Sequence, residues 1–222
     1  MLLRLAIFDL DNTILEGDSD HAWGEFIIER GLVSDAEHRQ KNDAFYDQYV
    51  KGELDIFAYQ RFVLNPLKGM SLTDIQPLQQ AFLQEKIIPI IKQKALDLIE
   101  DHRQKNDFIL IITATNHLIT APIAQYLNVH DLIATTPTVI ENIISGEASG
   151  TPSFREGKVA RLHEWLQNKD HAFSLHESFF YSDSWNDLPL LEKVAYPVVV
   201  DGDEVLKKIA GERRWVSLSL LS

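Results

Sequence analysis

Two aspartates one residue apart, Asp9 and Asp11, follow an apolar run in Asp9-Leu10-Asp11-Asn12-Thr13. Where a strand exits into a loop, carboxylates so spaced can point into one crevice. Their repulsion is then relieved by a proton or a cation. A hard divalent ion with oxygen ligands, Mg²⁺, is the natural partner; a solvated acidic loop, or Asp11 capping a helix, explains the same residues. Three further groups fall at comparable places. Thr113 closes a second apolar run and offers a hydroxyl beside the N–H groups of the next turn, although a helix N-cap uses threonine equally well. Lys158 stands at a helix start, where a cation opposes the helix dipole and is better explained by an anionic partner. Tyr181-Ser182-Asp183-Ser184-Trp185-Asn186-Asp187 places two acids four apart with Asn186 between them. Asp183 could complete a metal shell while Asp187 holds Lys158 or a metal-bound water, or the segment could be a capped turn.

These residues need elements to present them. Leu2–Phe8 stops at Asp9, Phe108–Ile112 at Thr113, Phe179–Tyr181 at Ser182, and Pro197–Val200 at Asp201. Such short runs, rich in Ile, Val and Phe, read as strands buried on both faces. Helical patterns over Ile91–His102 and Lys158–Leu166 precede the second and third. The alternation predicts an α/β fold, a doubly wound, Rossmann-like parallel sheet whose ligands gather beyond the carboxyl ends of its strands. Residues from about Gly17 to Glu85 carry helical signals and no strand, which predicts a helical cap (17–85) inserted after the first strand into a core formed by 1–16 and 86–222. Thr138–Ser149, with Ser145-Gly146, predicts a hairpin with a glycine in its turn.

The 222 residues carry 21 Lys plus Arg against 33 Asp plus Glu, a formal charge of −12, which argues against binding nucleic acid. With no cysteine, thiol nucleophiles, disulfides and zinc–thiolate sites are excluded. The longest apolar run is far short of the roughly 20 residues of a membrane helix, so no membrane association is expected. Asp9 and Asp11 interrupt the N-terminus too early for a signal peptide, and the expected location is cytoplasmic.

Phe8-Asp9-Leu10-Asp11-Asn12-Thr13, Thr113, Lys158 and Ser182-Asp183-Ser184-Trp185-Asn186-Asp187 together resemble the four motifs of the haloacid dehalogenase-like hydrolases, over nearly the whole chain. The phosphoserine-phosphatase-like branch is the most similar. Within it, Gly17-Asp18-Ser19-Asp20-His21-Ala22-Trp23 resembles bacterial hydrolases, some acting on histidinol phosphate. The resemblance implies Asp9 as nucleophile and Asp11 as general acid–base. It further implies Mg²⁺ held by the Asp9 carboxylate, the Asp11 carbonyl and Asp183, with Asp187 behind or reaching the metal through water. Thr113, Ala114 N–H and Lys158 would stabilise the transferring group, and Asn186 is a further candidate for substrate contact. Asp11 favours phosphoryl chemistry over carbon–halogen cleavage, whose enzymes in this family lack the second aspartate.

In phosphoserine phosphatases an acid after the first motif binds the substrate amine and a cap arginine its carboxylate; Asp18 and Arg61 stand at the matching places. Thr113-Ala114-Thr115-Asn116 departs from the usual Ser-Gly-Gly there. Asp18 with Asp20 suggests a cationic amine, hence an amino-alcohol phosphate such as histidinol phosphate or phosphoserine, although both acids could cap a helix and Arg61 could make a surface ion pair. Trp23, Phe26, Phe45, Tyr46, Tyr49, Tyr59 and Phe62 read as cap core, while His21 could line the pocket. The expected function is a Mg²⁺-dependent phosphomonoesterase for small metabolites. A phosphotransferase or mutase using the same aspartyl phosphate is the alternative, and an idle binding module is disfavoured by the complete motif set.

Overall fold

Alternation along the apolar runs settles which side chains face which layer. In the computed structural model, which describes residues 4–169 and 173–221, β1 (Leu5–Phe8) is buried throughout. Ala6 and Phe8 join one core cluster and Leu5 and Ile7 another, one on each face of the sheet. The same split recurs in β2 (Phe108–Asn116), with Ile109 and Ile111 on one side and Leu110 and Ile112 on the other, as a period of two requires.

Seven strands form one sheet. With β3 (Asp131–Ile140), β4 (Ile143–Ser149), β5 (Phe179–Ser182), β6 (Tyr196–Val200) and β7 (Val216–Leu218), the order is β4-β3-β2-β1-β5-β6-β7. All neighbours are parallel except β3 and β4. The architecture is the expected α/β sheet with helices on both faces. Because β1 pairs with both β2 and β5, the crossovers diverge there, and the crevice beyond its carboxyl end is the place for a ligand. Leu2 and Leu3, the start of the predicted first strand, lie outside the described residues.

Several expectations are corrected. The second strand does not end at Thr113: β2 runs to Asn116 through an irregularity between Ile112 and Asn116. Asn116, not Thr113, caps the following helix α6 (His117–Tyr126), accepting from Leu118 and Ile119 N–H. The hairpin turn is Glu141-Asn142, both at positive φ, while Gly146 lies within β4. β7 and the parallel half of β3 were not foreseen.

Between β1 and β2 the chain is helical: α1 (Ser19–Glu29), α2 (Asp35–Lys51), α3 (Ile56–Leu64) and α4 (Leu72–Phe82), continuing as helical turns to Ile90. Its two ends meet in a bridge between Leu15 and Ile91. Trp23, Phe26 and Phe82 share the core with the sheet. Helix α2, by contrast, buries only His38 and Asn42 completely and turns a partly buried aromatic edge toward the carboxyl end of the sheet. Two core helices complete the positioning frame: α5 (Gln93–Gln104) before β2 and α7 (Glu156–Gln167) before β5. No helix among the described residues is long and apolar enough to cross a membrane.

Candidate active site

Asp9 is the first residue beyond β1, and its N–H still bonds Tyr181 O at 2.9 Å, as if extending the sheet. The chain then curls, with Asn12 at φ 55°. The carbonyl of Asn12 is held by the buried Lys92, whose ammonium bonds it at 2.6 Å and Asp201 at 3.2 Å. Lys92 has no signature in sequence, yet it fastens the turn that begins at Asp11.

Three strand ends meet around Asp9. Lys158 Nζ, from the first turn of α7, donates to Asp9 Oδ1 and to Asp187 Oδ2, both at 2.8 Å, and lies 2.7 Å from Asp187 Oδ1. Asp187 also accepts from Ser182 Oγ at 2.7 Å. Burial opposes the ammonium charge, but the two carboxylates outweigh it and hold the Lys158 pKa above its ordinary value. Burial pushes the Asp9 carboxyl up to about 7; Lys158 works against the rise, while Asp187 and Asp11 add to it.

Asp11 is gripped from a different side. Ser19 N–H, at the start of α1, donates to Oδ1 at 2.6 Å, and the Thr115 hydroxyl to Oδ2 at 3.0 Å. Thr113 Oγ1 stands 3.4 Å from the same oxygen. Burial, followed by the charge of Asp18, brings Asp11 up to about 6, a value suited to exchanging a proton near neutral pH. Thr115 was missed in sequence: it occupies a position where a glycine was the reference, and only the β2 irregularity brings its hydroxyl to Asp11.

Asp183 is raised well above the ordinary carboxylate range by burial and by the charges of Asp9 and Asp187, while Thr13 steadies it. Thr13 Oγ1 donates to Asp183 Oδ1 at 3.0 Å and accepts from Asp183 N–H at 3.1 Å. Asp9 and Asp183 therefore form a pair of hard oxygen donors that disfavour each other's ionisation unless a cation intervenes. Among the described residues no group of three or more His, Asp or Glu side chains gathers as a metal cage. A divalent ion here would complete its shell with a carbonyl, water and phosphoryl oxygens, which is the habit of Mg²⁺. The side-chain oxygens of Asp11 and Asp187 are engaged by Ser19, Thr115, Lys158 and Ser182. Asp187 thus anchors Lys158, and the Asp11 carboxylate is held by Ser19 and Thr115.

A cavity lies above these groups, lined by Asp9, Asp11, Asp18, Asp20, Thr113, Ala114, Thr115, Lys158 and Asp187 from the sheet side and α1. From α2, α3 and their flanks come Phe45, Tyr46, Tyr49, Leu54, Ile56 and Tyr59. Four aromatics expected in the cap core thus face the cavity; Trp23 and Phe26 remain core. Asp18 lines the cavity and also caps α1, accepting from His21 N–H at 2.8 Å. His21 itself turns to the exposed Asp43.

Two proposed substrate contacts lie elsewhere. Arg61 is exposed and opens onto a separate groove beside His38, Phe62 and Glu147. Its neighbour Gln60 is the residue that points inward, donating to Ala114 O at 3.2 Å. Asn186 does not line the cavity; it accepts from Arg155 Nε at 2.9 Å and donates to Tyr49 O at 3.2 Å, tying α2 to the Ser182–Asp187 loop.

The sequence model of the haloacid dehalogenase-like hydrolases matches residues 6–192, a span that contains Asp9, Asp11, Thr113, Lys158, Asp183 and Asp187. The chain belongs to this family. Its relatives place it among the phosphatases of the family. It is 41% identical over 218 residues to a histidinol-phosphatase of Neisseria meningitidis, covering 97% of this chain and 98% of that one. Against the phosphoserine phosphatase SerB1 of Mycobacterium tuberculosis it is 27% identical, with 96% and 70% covered. A crystal structure of a Bordetella pertussis protein of unknown function superposes with a TM-score of 0.92 at 39% identity, covering all of both chains. A substrate-bound phosphoserine phosphatase shares the fold, with a TM-score of 0.71 at 13% identity over 98% of this chain and 93% of that one.

Proposed function

We propose that this hydrolase is a Mg²⁺-dependent phosphatase that cleaves a small amino-alcohol phosphate, of the type of histidinol phosphate or phosphoserine, through an aspartyl phosphate on Asp9. The observation that carries the reading is the Asp9 carboxylate held 2.8 Å from the Lys158 ammonium, in a cavity where Asp11 stands ready with a carboxyl raised to about 6. The identity to the Neisseria histidinol-phosphatase supports the substrate type.

Asp9, the carbonyl of Asp11 and Asp183 would hold the ion, which when bound neutralises charge on the phosphoryl oxygens and keeps Asp9 ionised. The free Asp9 oxygen attacks phosphorus as the ester P–O bond breaks. Asp11 gives its proton to the departing alkoxide, so the alcohol leaves neutral. Lys158 and Thr113, with the main chain at Ala114, bear on the charge that spreads over the transferring group. Water then attacks phosphorus, its proton passes to Asp11, and the bond to Asp9 breaks to release phosphate. Helices α2 and α3, in the segment 17–85, act as the cap that encloses the substrate.

Phosphate release from a panel of phosphomonoesters with and without Mg²⁺, run beside Asp9→Asn, tests this. Release that requires both Mg²⁺ and Asp9 is the expected result; release by Asp9→Asn at the wild-type rate would refute the nucleophile. Transfer of phosphate to an added alcohol in place of free phosphate would identify a phosphotransferase.

A further inference from the structure

We infer that Asp20 determines specificity, selecting phosphomonoesters whose organic part carries a protonated nitrogen and no carboxylate. The inference rests on the phosphatase reading above and narrows its substrate class.

Asp20 lines the cavity and is only 4% exposed. Its Oδ1 is buried with no hydrogen-bond partner. A carboxylate in this condition is costly unless a cation meets it. Its place in the first turn of α1 suggests helix capping as an alternative role, but the donors there are already used. Ser19 N–H goes to Asp11, and the His21 N–H goes to Asp18. Asp20 therefore faces the cavity without serving the helix.

Charge in the cavity is one-sided. Asp9, Asp11, Asp18 and Asp20 all reach it, and Lys158 is the single Lys or Arg among its described lining residues. Lys158 is already shared between Asp9 and Asp187. Arg61, the residue placed to meet a substrate carboxylate by resemblance, opens onto the other groove. A ligand carboxylate would thus meet acids and no counter-cation, whereas an ammonium or imidazolium would find Asp20, Asp18 and the ring of Tyr59. Histidinol phosphate has this chemistry; phosphoserine, with its carboxylate, does not.

The test compares kcat/KM with Mg²⁺ for ethyl phosphate, 2-aminoethyl phosphate, histidinol phosphate and O-phosphoserine, in the wild type and in Asp20→Asn. The wild type is expected to prefer 2-aminoethyl phosphate over ethyl phosphate at least tenfold, with O-phosphoserine the poorer of the two amines. Asp20→Asn is expected to reduce the first ratio at least tenfold, mainly through KM. An unaltered ratio in a folded Asp20→Asn, or O-phosphoserine ahead of 2-aminoethyl phosphate in the wild type, would overturn the inference. The second outcome needs no variant, so it decides even if Asp20→Asn fails to fold. Failure of the wild type to hydrolyse any ester, p-nitrophenyl phosphate included, would strike the phosphatase reading instead. Calorimetry with histidinol alone then keeps the two apart: saturable binding weakened by Asp20→Asn supports the cation site, and its absence overturns it.

Discussion

Replacing Lys158 with methionine removes the one cation between two buried carboxylates while keeping much of its volume. The contacts it breaks, 2.8 Å to Asp9 and 2.7 Å to Asp187, are each worth about 6 kcal/mol of gross attraction at an effective dielectric of about 20. Desolvation of the three groups offsets much of this, and removing one partner of a buried pair costs about 3–5 kcal/mol in net stability. Lys158→Met is therefore expected to lose about 3–5 kcal/mol in urea unfolding without metal, and at least about 10²-fold in kcat. The double variant Lys158→Met/Asp187→Asn separates the two losses. With Asp187 neutral, the cluster returns to one uncompensated charge, as in the wild type, so about 2–3 kcal/mol of stability should return as coupling. Activity should not return, because nothing replaces the charge beside the transferring phosphoryl. Additive destabilisation in the double variant would refute the electrostatic account, and a Lys158→Met enzyme within tenfold of wild type would refute the catalytic one.

Burial holds Asp9, Asp11, Asp18, Asp20 and Asp183 above their ordinary values, so the folded state keeps protons that the unfolded chain gives up near pH 4. Stability contributed by these groups is present below about pH 4 and lost as pH rises toward about 7; melting temperatures in EDTA should fall over that window, and Mg²⁺ should raise them more at pH 7 than at pH 5. A flat EDTA profile with no Mg²⁺ effect would refute this. Gly52 ends α2 at φ 72° with its α-carbon against Trp185 and Arg155; Gly52→Ala should destabilise by about 1–3 kcal/mol, as read by urea unfolding. Arg61→Ala should keep kcat/KM for every ester within twofold, since Arg61 opens away from the cavity; a selective loss on carboxylate-bearing esters would contradict that geometry. Asn186→Ala should lower kcat/KM by one common factor across the ester series, because Asn186 bonds Arg155 and Tyr49. A substrate-dependent factor would mean that it touches the ligand.

The strand ends other than that of β2, which continues past Thr113 to Asn116, were legible because strands buried on both faces show as apolar runs and the polar residue that follows falls at the carboxyl edge. β3 escaped because Pro137 and its threonines interrupt the run, and β7 because it is a three-residue edge with two exposed positions. The cap was harder for a geometric reason. Adjacent helical residues differ by about 100° in direction, so a one-residue uncertainty exchanges the inward Gln60 for the outward Arg61. Phe45 and Tyr49 lie four apart on one face of α2, a pattern that is identical whether the face meets a core or a cavity. Thr115, Lys92 and Arg155 carry no local signal, since each acts across more than 30 residues of chain.

Helix α2 and the Ser182–Asp187 loop are joined by a few atoms beside the site. Tyr49 Oη donates to Ser184 Oγ at 3.1 Å, and the Tyr49 carbonyl takes Asn186 Nδ2 at 3.2 Å. Asn186 also receives Arg155, whose guanidinium lies 4.8 Å over the Trp185 ring. Asn186 adjoins Asp187, the anchor of Lys158, and Arg155 lies one turn before Lys158 on the approach to α7. Lifting α2 would thus release the two flanks of the ion cluster together with the aromatic wall of the cavity. A largely polar helix that buries only His38 and Asn42 completely is suited to that motion. In the proposed phosphatase, closure would assemble the wall facing the organic part of the substrate and steady Lys158 beside the phosphoryl group. Enclosure and the proposed chemistry would in this way be coupled through the Ser182–Asp187 loop.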